Sequence, residues 1–186
     1  MWWPNGYGDQ PIYNLYCIFE TQNEVDNEIS SKNTNVAMRT VELVQEEIQE
    51  GVEGVEGLSF YFKVNDVPIF AKGANWIPGH VLPELGYDER MLRRTLQSAK
   101  DAHMNMLRVW GGGVYESDLF YNIADELGIM IWQDMMFAVA LYPTTEEFLK
   151  SVSIEIEQQV RRLASHPCIA IWAGNNENEM AIRGNW

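Results

Sequence analysis

A glutamate near the carboxyl end of the sequence could act as a general acid or base. Glu177 follows Asn176 and an apolar stretch, Ile169–Trp172, that is typical of a short buried strand. In parallel α/β folds the carboxyl ends of the strands form the catalytic face, so such a strand would deliver Glu177 there. Alternatively, Glu177 only begins the next helix, where a carboxylate gains about 0.3–1 kcal/mol from the helix dipole.

A second carboxyl group, Asp134, ends the apolar stretch 129–134 and could work together with Glu177. Glycoside hydrolysis, for example, needs one carboxylic acid to protonate the leaving oxygen and a second carboxylate as nucleophile or base. The structural alternative, which we favour, is a buried acceptor that pairs with Arg108. Arg108 lies in another predicted strand, 105–110, and a buried guanidinium there requires a carboxylate. We therefore expect Arg108 to support the site, as an ion pair or by orienting a nucleophile.

The other side chains at the predicted strand ends are aromatic or amide groups, which suits a neutral, polyhydroxylated ligand such as a sugar. Indole faces pack against the C–H faces of a pyranose ring, and amides hydrogen-bond hydroxyl groups in either sense. We predict that the substrate contacts Asn75, Trp76, Trp110, Asp134 and Asn176. The glycines 111–113 lack the spacing of a phosphate-binding loop, and would let the backbone turn sharply beside the Trp110 indole.

The elements that must hold these residues alternate between strand and helix from residue 69 onward. Apolar stretches predict strands at 69–76, 105–110, 129–134 and 169–172. Helix-start signals stand at Asp88, Ser117 and Thr144, the last with Glu147 as a capping box. The alternation predicts a parallel sheet, either an open α/β sheet or the first half of a (β/α)8 TIM barrel. We favour the half barrel because the sequence begins and ends abruptly within predicted elements.

The amino-terminal part, residues 1–50, is predicted to be β structure, the later part of an immunoglobulin-like β-sandwich. Tyr13–Phe19 is rich in strand formers. The stretch 20–35 is polar and loop-like, whereas 36–44 alternates as a half-buried strand does.

An acidic, glycine-punctuated stretch, 46–57, predicts a hinge between two domains, with the linker placed at 51–57. A hairpin follows, with Asn65 and Asp66 as its tight turn. Residues 58–186 are then the amino-terminal half of the predicted barrel.

Charge, hydropathy and the cysteine and histidine positions argue against several kinds of partner and cofactor. The net charge of −14 repels nucleic acid and anionic membranes, and no apolar run reaches the roughly 18 residues of a membrane span. Cys17 and Cys168 fall in different predicted domains, so we expect two small buried hydrophobes and no disulfide. His80, His103 and His166 lack ligand spacing, and we predict no metal and no other cofactor. We expect His166 to interact with the last carbonyls of a helix.

Several long motifs resemble those of animal β-mannosidases, glycosidases of the clan that also contains β-galactosidase and β-glucuronidase. The matching stretches are Trp2–Gly8, Lys72–Pro78, Asn105–Gly113, Trp132–Asp134, Ala140–Pro143 and Gly174–Glu179. The resemblance implies retaining hydrolysis of terminal, non-reducing β-mannose, a lysosomal location, and β-mannoside oligosaccharides as substrates. It implies Glu177 as acid/base, Asn176 as a contact near the 2-hydroxyl group, and Trp110 as a wall of the terminal sugar subsite.

The sequence also departs from that family's pattern. Gly79 and His80 stand where we expect a small residue and Asp, and Val139 where family members often have Cys. The family's nucleophilic Glu lies on a later strand, which would fall beyond Trp186, and an amino-terminal domain is also missing. We therefore expect the chain alone to be inactive, to need the rest of the polypeptide to complete the barrel, and to fold poorly or associate through an exposed sheet edge. The alternatives are a non-catalytic carbohydrate-binding protein and another glycosidase of the same clan.

Overall fold

The computed structural model describes residues 1–21, 28–48 and 57–184. The strands are β1 (Tyr13–Glu20), β2 (Ile29–Val36), β3 (Val41–Val44), β4 (Tyr61–Val64), β5 (Val67–Ile69), β6 (Gly73–Trp76), β7 (Met106–Val109), β8 (Met130–Asp134) and β9 (Ile169–Ala173). The helices are α1 (Glu89–Asp101), α2 (Asp118–Leu127), α3 (Glu146–Leu163) and α4 (Asn178–Gly184), with a 3₁₀ turn at Pro83–Leu85. Among these described helices, none combines the length and apolar character needed to cross a membrane.

The predicted parallel sheet is confirmed. Strands β6, β7, β8 and β9 lie side by side in that order, all parallel, and α1, α2 and α3 make the three connections. Asp88 begins α1, its carboxylate accepting a hydrogen bond from the Met91 amide, and Gly128 ends α2 with a left-handed φ of 75°. The capping prediction for α3 was wrong by one residue, because Thr145 and not Thr144 accepts from the Phe148 amide.

The two faces of this sheet have different neighbours. One face packs against α2, where the ring centroids of Phe120 and Trp76 are 4.8 Å apart. On the same face the Tyr121 hydroxyl donates to Gln133 Oε1 at 2.6 Å. On the other face Trp132 packs on Phe60, with 6.3 Å between ring centroids. Because side chains alternate along each strand, neighbouring residues such as 75 and 76 face opposite sides.

A second, antiparallel sheet has the order β3-β4-β5. Its predicted hairpin turn is confirmed, with Asn65 and Asp66 at φ of 50° and 66°, as a two-residue turn of type I′ requires. Strand β3 precedes the predicted linker and β4 follows it, so this sheet joins residues from both predicted domains. Most of the predicted linker 51–57 lies outside the described residues; Gly57 accepts a hydrogen bond from the Ile48 amide at 3.0 Å.

Strands β1 and β2 form an antiparallel ribbon in which nearly every side chain is exposed. The prediction of a loop at 20–35 was therefore wrong over Ile29–Asn35, because these mostly polar residues pair by backbone hydrogen bonds without burying a face. The expectation that Cys17 is buried was also wrong, since it lies exposed on this ribbon. The strand predicted at 36–44 is shorter, Val41–Val44.

The chain segments before β1 and after β2 pack against the parallel sheet and its helices. Trp2 is fully buried and its indole N–H donates to the Asp125 carbonyl at 2.8 Å. The Asn5 side chain donates to the carbonyls of Lys100 and Met104, at the end of α1. Arg39 donates to the Pro167 and Ile169 carbonyls, at the start of β9. These contacts fix the amino-terminal residues onto the framework that holds the strand ends.

Candidate active site

Asp134, at the end of β8, is fully buried and holds the centre of a polar network. Arg108 contacts it with two parallel hydrogen bonds, Nε to Oδ1 at 3.2 Å and Nη2 to Oδ2 at 2.7 Å. The Trp132 indole N–H and the Gly111 amide also donate to its carboxylate, both at 3.0 Å. Each carboxylate oxygen of Asp134 thus accepts two hydrogen bonds. Asp134 therefore acts through Arg108 and has no free oxygen for a substrate. This geometry agrees with the structural alternative considered from the sequence, and not with the prediction that the substrate contacts Asp134.

Arg108 connects the ends of four neighbouring strands. In addition to Asp134, it donates to Asn75 Oδ1 at 3.2 Å and to Asn176 Oδ1 at 2.7 Å. Because a guanidinium only donates, these bonds fix the amide oxygens of both asparagines. Their amide N–H groups therefore remain available as donors to a ligand. The structure brings Asn75, Arg108, Asp134 and Asn176 together, as the sequence analysis expected.

Glu177 follows this network directly, with an exposed carboxylate that has no hydrogen-bond or ion-pair partner among the described residues. Its backbone has a left-handed φ of 59°. The side chain that caps α4 is Asn175, whose Oδ1 accepts from the Asn178 amide at 3.1 Å, while Glu177 contributes only its carbonyl, to the Met180 amide. Glu177 thus stands directly before α4, as the helix-start alternative expects, but its carboxylate accepts no hydrogen bond from the described helix.

Trp110 lies beside a cavity of about 310 Å³ whose lining also includes Ile77, Pro78 and His80. The indole packs directly on Gly112: a Cβ there would lie 2.1 Å from its Cη2 atom. Only glycine fits that contact, which agrees with the role predicted for the glycines beside the Trp110 ring. A larger cavity of about 460 Å³ lies along the face of the sheet that carries Trp132 and is lined by Asn75, Arg108 and Trp132, but not by Glu177 or Trp110.

The structure corrects the prediction that Trp76 contacts the substrate. Trp76 is 8% exposed, faces α2, and donates its indole N–H to Glu116 Oε1 at 2.9 Å. Glu116 is a buried carboxyl group that no sequence pattern indicated. Burial raises its pKa, although the hydrogen bonds from Trp76 and from the Ser117 amide act in the opposite direction. Within the described residues, its Oε2 atom has no partner.

His166 forms a second polar cluster, away from the strand ends. Its Nδ1 atom lies 2.6 Å from Asp125 Oδ2, so the expectation that it interacts with helix carbonyls was wrong for its side chain. The Cys168 amide donates to the other Asp125 oxygen at 3.0 Å. Ligand atoms of Asp125, His166 and Cys168 lie within 4.8 Å of one another, a grouping that sequence spacing did not reveal. Both carboxylate oxygens already have partners, and burial raises the pKa of the Cys168 thiol.

A loop after β8 holds the backbone of Asn176 in place. The Asn176 amide donates to the Phe137 carbonyl at 2.8 Å, and the Val139 amide donates to the Asn176 carbonyl at 2.9 Å. Ala138 and Asn176 thus form a parallel bridge beyond the ends of β8 and β9. Val139 has a left-handed φ of 43°, which is uncommon for a β-branched residue.

Comparisons with known proteins relate this geometry to glycosidases. No protein-family model matches the chain. The β-mannosidase of Bos taurus is 56% identical over 185 residues, which cover 100% of this chain and 20% of that protein. The crystal structure of β-D-mannosidase from Dictyoglomus thermophilum superposes with a TM-score of 0.81 at 42% identity, covering 97% of this chain and 21% of that one. A β-glucuronidase from Parabacteroides merdae shares the fold, with a TM-score of 0.74 at 18% identity.

The sequence and the structural matches extend over nearly the whole chain. The chain spans about a fifth of the length of the curated relatives it matches. From end to end, it therefore resembles one segment of the β-mannosidases.

Proposed function

We propose that this chain is the acid/base-bearing segment of a retaining exo-β-mannosidase, which removes terminal β-D-mannose from non-reducing ends. The main supporting observation is the Arg108 network, which fixes Asn176 immediately before Glu177, an exposed residue whose side chain has no partner in the described parts of the chain. The β-mannosidase names of relatives from animals and of a structural neighbour support the choice of sugar. A glycosidase with this design uses two carboxyl groups on either side of the scissile bond.

In this proposal Glu177 is the general acid/base. It first gives its proton to the glycosidic oxygen while a carboxylate nucleophile, located outside residues 1–186, attacks the anomeric carbon and forms a covalent mannosyl-enzyme. It then accepts a proton from the water that releases mannose. A group with this task must gain and lose a proton in each cycle, so a carboxylate without an ion-pair partner suits it, whereas the fully bonded Asp134 does not.

Substrate contacts follow from the polar groups left available beside Glu177. The amide N–H group of Asn176 would donate to the region of the sugar 2-hydroxyl, and Asn75 would contribute a second amide donor. Trp110 would form a wall of the terminal sugar subsite, with His80 and Val139 altering its rim. Trp76 has no place in this subsite.

The proposal includes an architecture and a compartment. The four parallel strands would form the first half of a (β/α)8 barrel within residues 58–186, completed by other parts of a longer polypeptide. Residues 1–50 would be part of an immunoglobulin-like β-sandwich, joined through the linker 51–57. We also propose a lysosomal location, on the strength of the resemblance to animal β-mannosidases.

A hybrid enzyme tests the proposal. Residues 1–186 would replace the matching fifth of the bovine β-mannosidase, and the hybrid would be assayed on aryl β-mannosides, β-galactosides and β-glucuronides. We expect hydrolysis of the β-mannosides. Glu177→Gln in the hybrid should lower kcat/KM by about 10²- to 10⁴-fold on substrates with poor leaving groups, and far less on those with activated leaving groups.

The matched control is Glu179→Gln, two residues further along and also exposed. It should leave both kinds of substrate unaffected. If the hybrid folds and hydrolyses a disaccharide equally well with Glu or Gln at position 177, the assignment is wrong. Preference for β-glucuronides over β-mannosides would instead contradict the proposed sugar.

A further inference from the structure

The motif Ala140–Pro143 matches the β-mannosidase pattern, yet no step of the proposed reaction uses it. It follows the loop that holds Asn176, and its central aromatic residue, Tyr142, folds back onto that loop. The Tyr142 hydroxyl accepts a hydrogen bond from the Ala138 amide at 2.9 Å. Its ring meets the Phe137 ring edge-on, with centroids 4.8 Å apart. Tyr142 therefore holds the two residues that come directly before Val139.

The hydrogen bonds continue from this loop to the candidate acid/base. The Phe137 carbonyl accepts a hydrogen bond from the Asn176 amide, and the Val139 amide donates to the Asn176 carbonyl. Ala138 lies between these two loop residues. Asn176 is covalently joined to Glu177, so the position of the loop determines where the Glu177 backbone begins. The path from the Tyr142 hydroxyl to Glu177 runs through Ala138, Val139 and Asn176 without a gap.

Two unusual backbone conformations occur at this junction. Val139 has a φ of 43° and Glu177 a φ of 59°. Val139 donates the hydrogen bond to the Asn176 carbonyl, and Glu177 directly follows Asn176. Left-handed conformations of residues other than glycine cost free energy and persist only where surrounding contacts enforce them. The Tyr142 hydroxyl and ring supply such contacts on the side of the loop.

We infer that Tyr142 is a positioning residue for the acid/base: through Ala138, Val139 and the Asn176 backbone it sets the direction in which the Glu177 carboxylate projects. The inference rests on the proposed function of Glu177. Loss of the hydroxyl leaves the Ala138 amide without its acceptor and relaxes the loop, which moves the proton donor away from the glycosidic oxygen.

The test uses Tyr142→Phe in the hybrid enzyme, with Tyr87→Phe as the matched control. Tyr87 is partly exposed, and its hydroxyl has no hydrogen-bond partner among the described residues. We expect Tyr142→Phe to lower kcat/KM about tenfold on a β-mannoside with a poor leaving group, and less than about twofold on one with an activated leaving group. Tyr87→Phe should change neither value. Selective loss is the expected signature because only a poor leaving group depends on protonation.

Equal losses on both substrates, or no loss on either, would overturn the inference, since a purely structural role does not distinguish leaving groups. The Glu177→Gln variant separates this failure from failure of the proposed function. If Glu177→Gln is selective and Tyr142→Phe is not, only the inference is wrong. If Glu177→Gln itself shows no selectivity, the proposed function is wrong.

Hydrogen exchange in the hybrid enzyme supplies a second measurement that does not depend on turnover. Tyr142→Phe should increase the exchange rates of the Ala138, Val139 and Asn176 amides, and leave the amides of β7 unchanged. Unchanged exchange at Val139 and Asn176 would show that the hydroxyl does not hold the loop, and would overturn the inference.

Discussion

The ends of β8 and β9 lie side by side and each delivers a carboxylate, but the two carboxylates have opposite surroundings. Asp134 is fully buried and accepts four hydrogen bonds, two of them from Arg108. Glu177, past the end of β9, is exposed and its side chain has no partner among the described residues. Neighbouring positions on one sheet edge thus differ in availability: Asp134 is fully engaged in the Arg108 network, and the Glu177 side chain is open to solvent.

The strongest test of this comparison removes each carboxylate in turn. Asp134→Ala should lower the free energy of unfolding of the hybrid enzyme by about 3–5 kcal/mol, because it leaves Arg108 without its buried counter-ion. Glu177→Ala should change it by less than about 0.5 kcal/mol. Urea unfolding followed by tryptophan fluorescence measures both values. Similar losses for the two variants would contradict this difference between the two carboxylates.

A change at Arg108 sharpens the comparison by keeping the charge and removing the forked geometry. Arg108→Lys should cost about 2 kcal/mol, because an ammonium group cannot bond Asn75, Asp134 and Asn176 together. The same urea experiment measures the loss. Arg94→Lys on the exposed face of α1 is the control and should be close to neutral. An equally neutral Arg108→Lys would mean that charge alone holds the network.

Glu116 offers a third carboxyl group, buried like Asp134 but with one oxygen unpartnered in the described structure. Burial raises its pKa in the folded chain above that of the unfolded chain, so the folded state binds this proton more tightly. Its contribution to stability is therefore present at low pH and is lost as pH rises through the raised pKa. We expect the stability of Glu116→Gln relative to wild type to increase from about pH 4 to about pH 7.

Urea midpoints of both proteins across this pH range provide the measurement. Glu84→Gln, at an exposed glutamate, serves as the control and should show no such trend. A constant difference in stability between Glu116→Gln and wild type over the whole range would mean that burial does not raise the pKa of Glu116.

The smallest expected effect concerns the loop that joins the two strand ends. Val139→Gly should change the free energy of unfolding by less than about 1 kcal/mol, because relief of the left-handed φ offsets the entropy that glycine adds to the unfolded chain. Val64→Gly, at a buried position of β4, should cost several times more. Equal costs at the two positions would show that Val139 is not strained.

Sequence patterns predicted the parallel sheet because its strands have strong local signals. The stretch that forms β8 begins with three apolar residues, Met130–Trp132, and lies between a glycine that ends one helix and a loop, so its position was clear. Strand β2 has no such signal: it is polar between Ile29 and Val36 and nearly all exposed, and backbone pairing with β1 alone makes it a strand. The helix cap at Thr145 differs from the expected one because neighbouring threonines are equally good candidates.

The candidate site was predicted where residues lie next to strand ends, and missed where contacts are distant in sequence. Alternation along β6 places Asn75 on the face of Arg108 and Trp76 on the face of α2, a distinction that could have been made from the strand period alone. Glu116, which accepts the hydrogen bond from the Trp76 indole, is 40 residues away in sequence. No local sequence pattern predicts this contact. The same holds for His166 and Asp125, which are 41 residues apart.

The contrast between the two thiols gives this chain its own unfolding probe. Cys17 is exposed on the ribbon, whereas Cys168 is buried with a pKa raised by its surroundings. A maleimide dye should thus attach to Cys17 within the native chain, and to Cys168 only after the framework around β9 opens. Counting attached dyes by mass over time would then report how often the scaffold beneath the candidate acid/base opens.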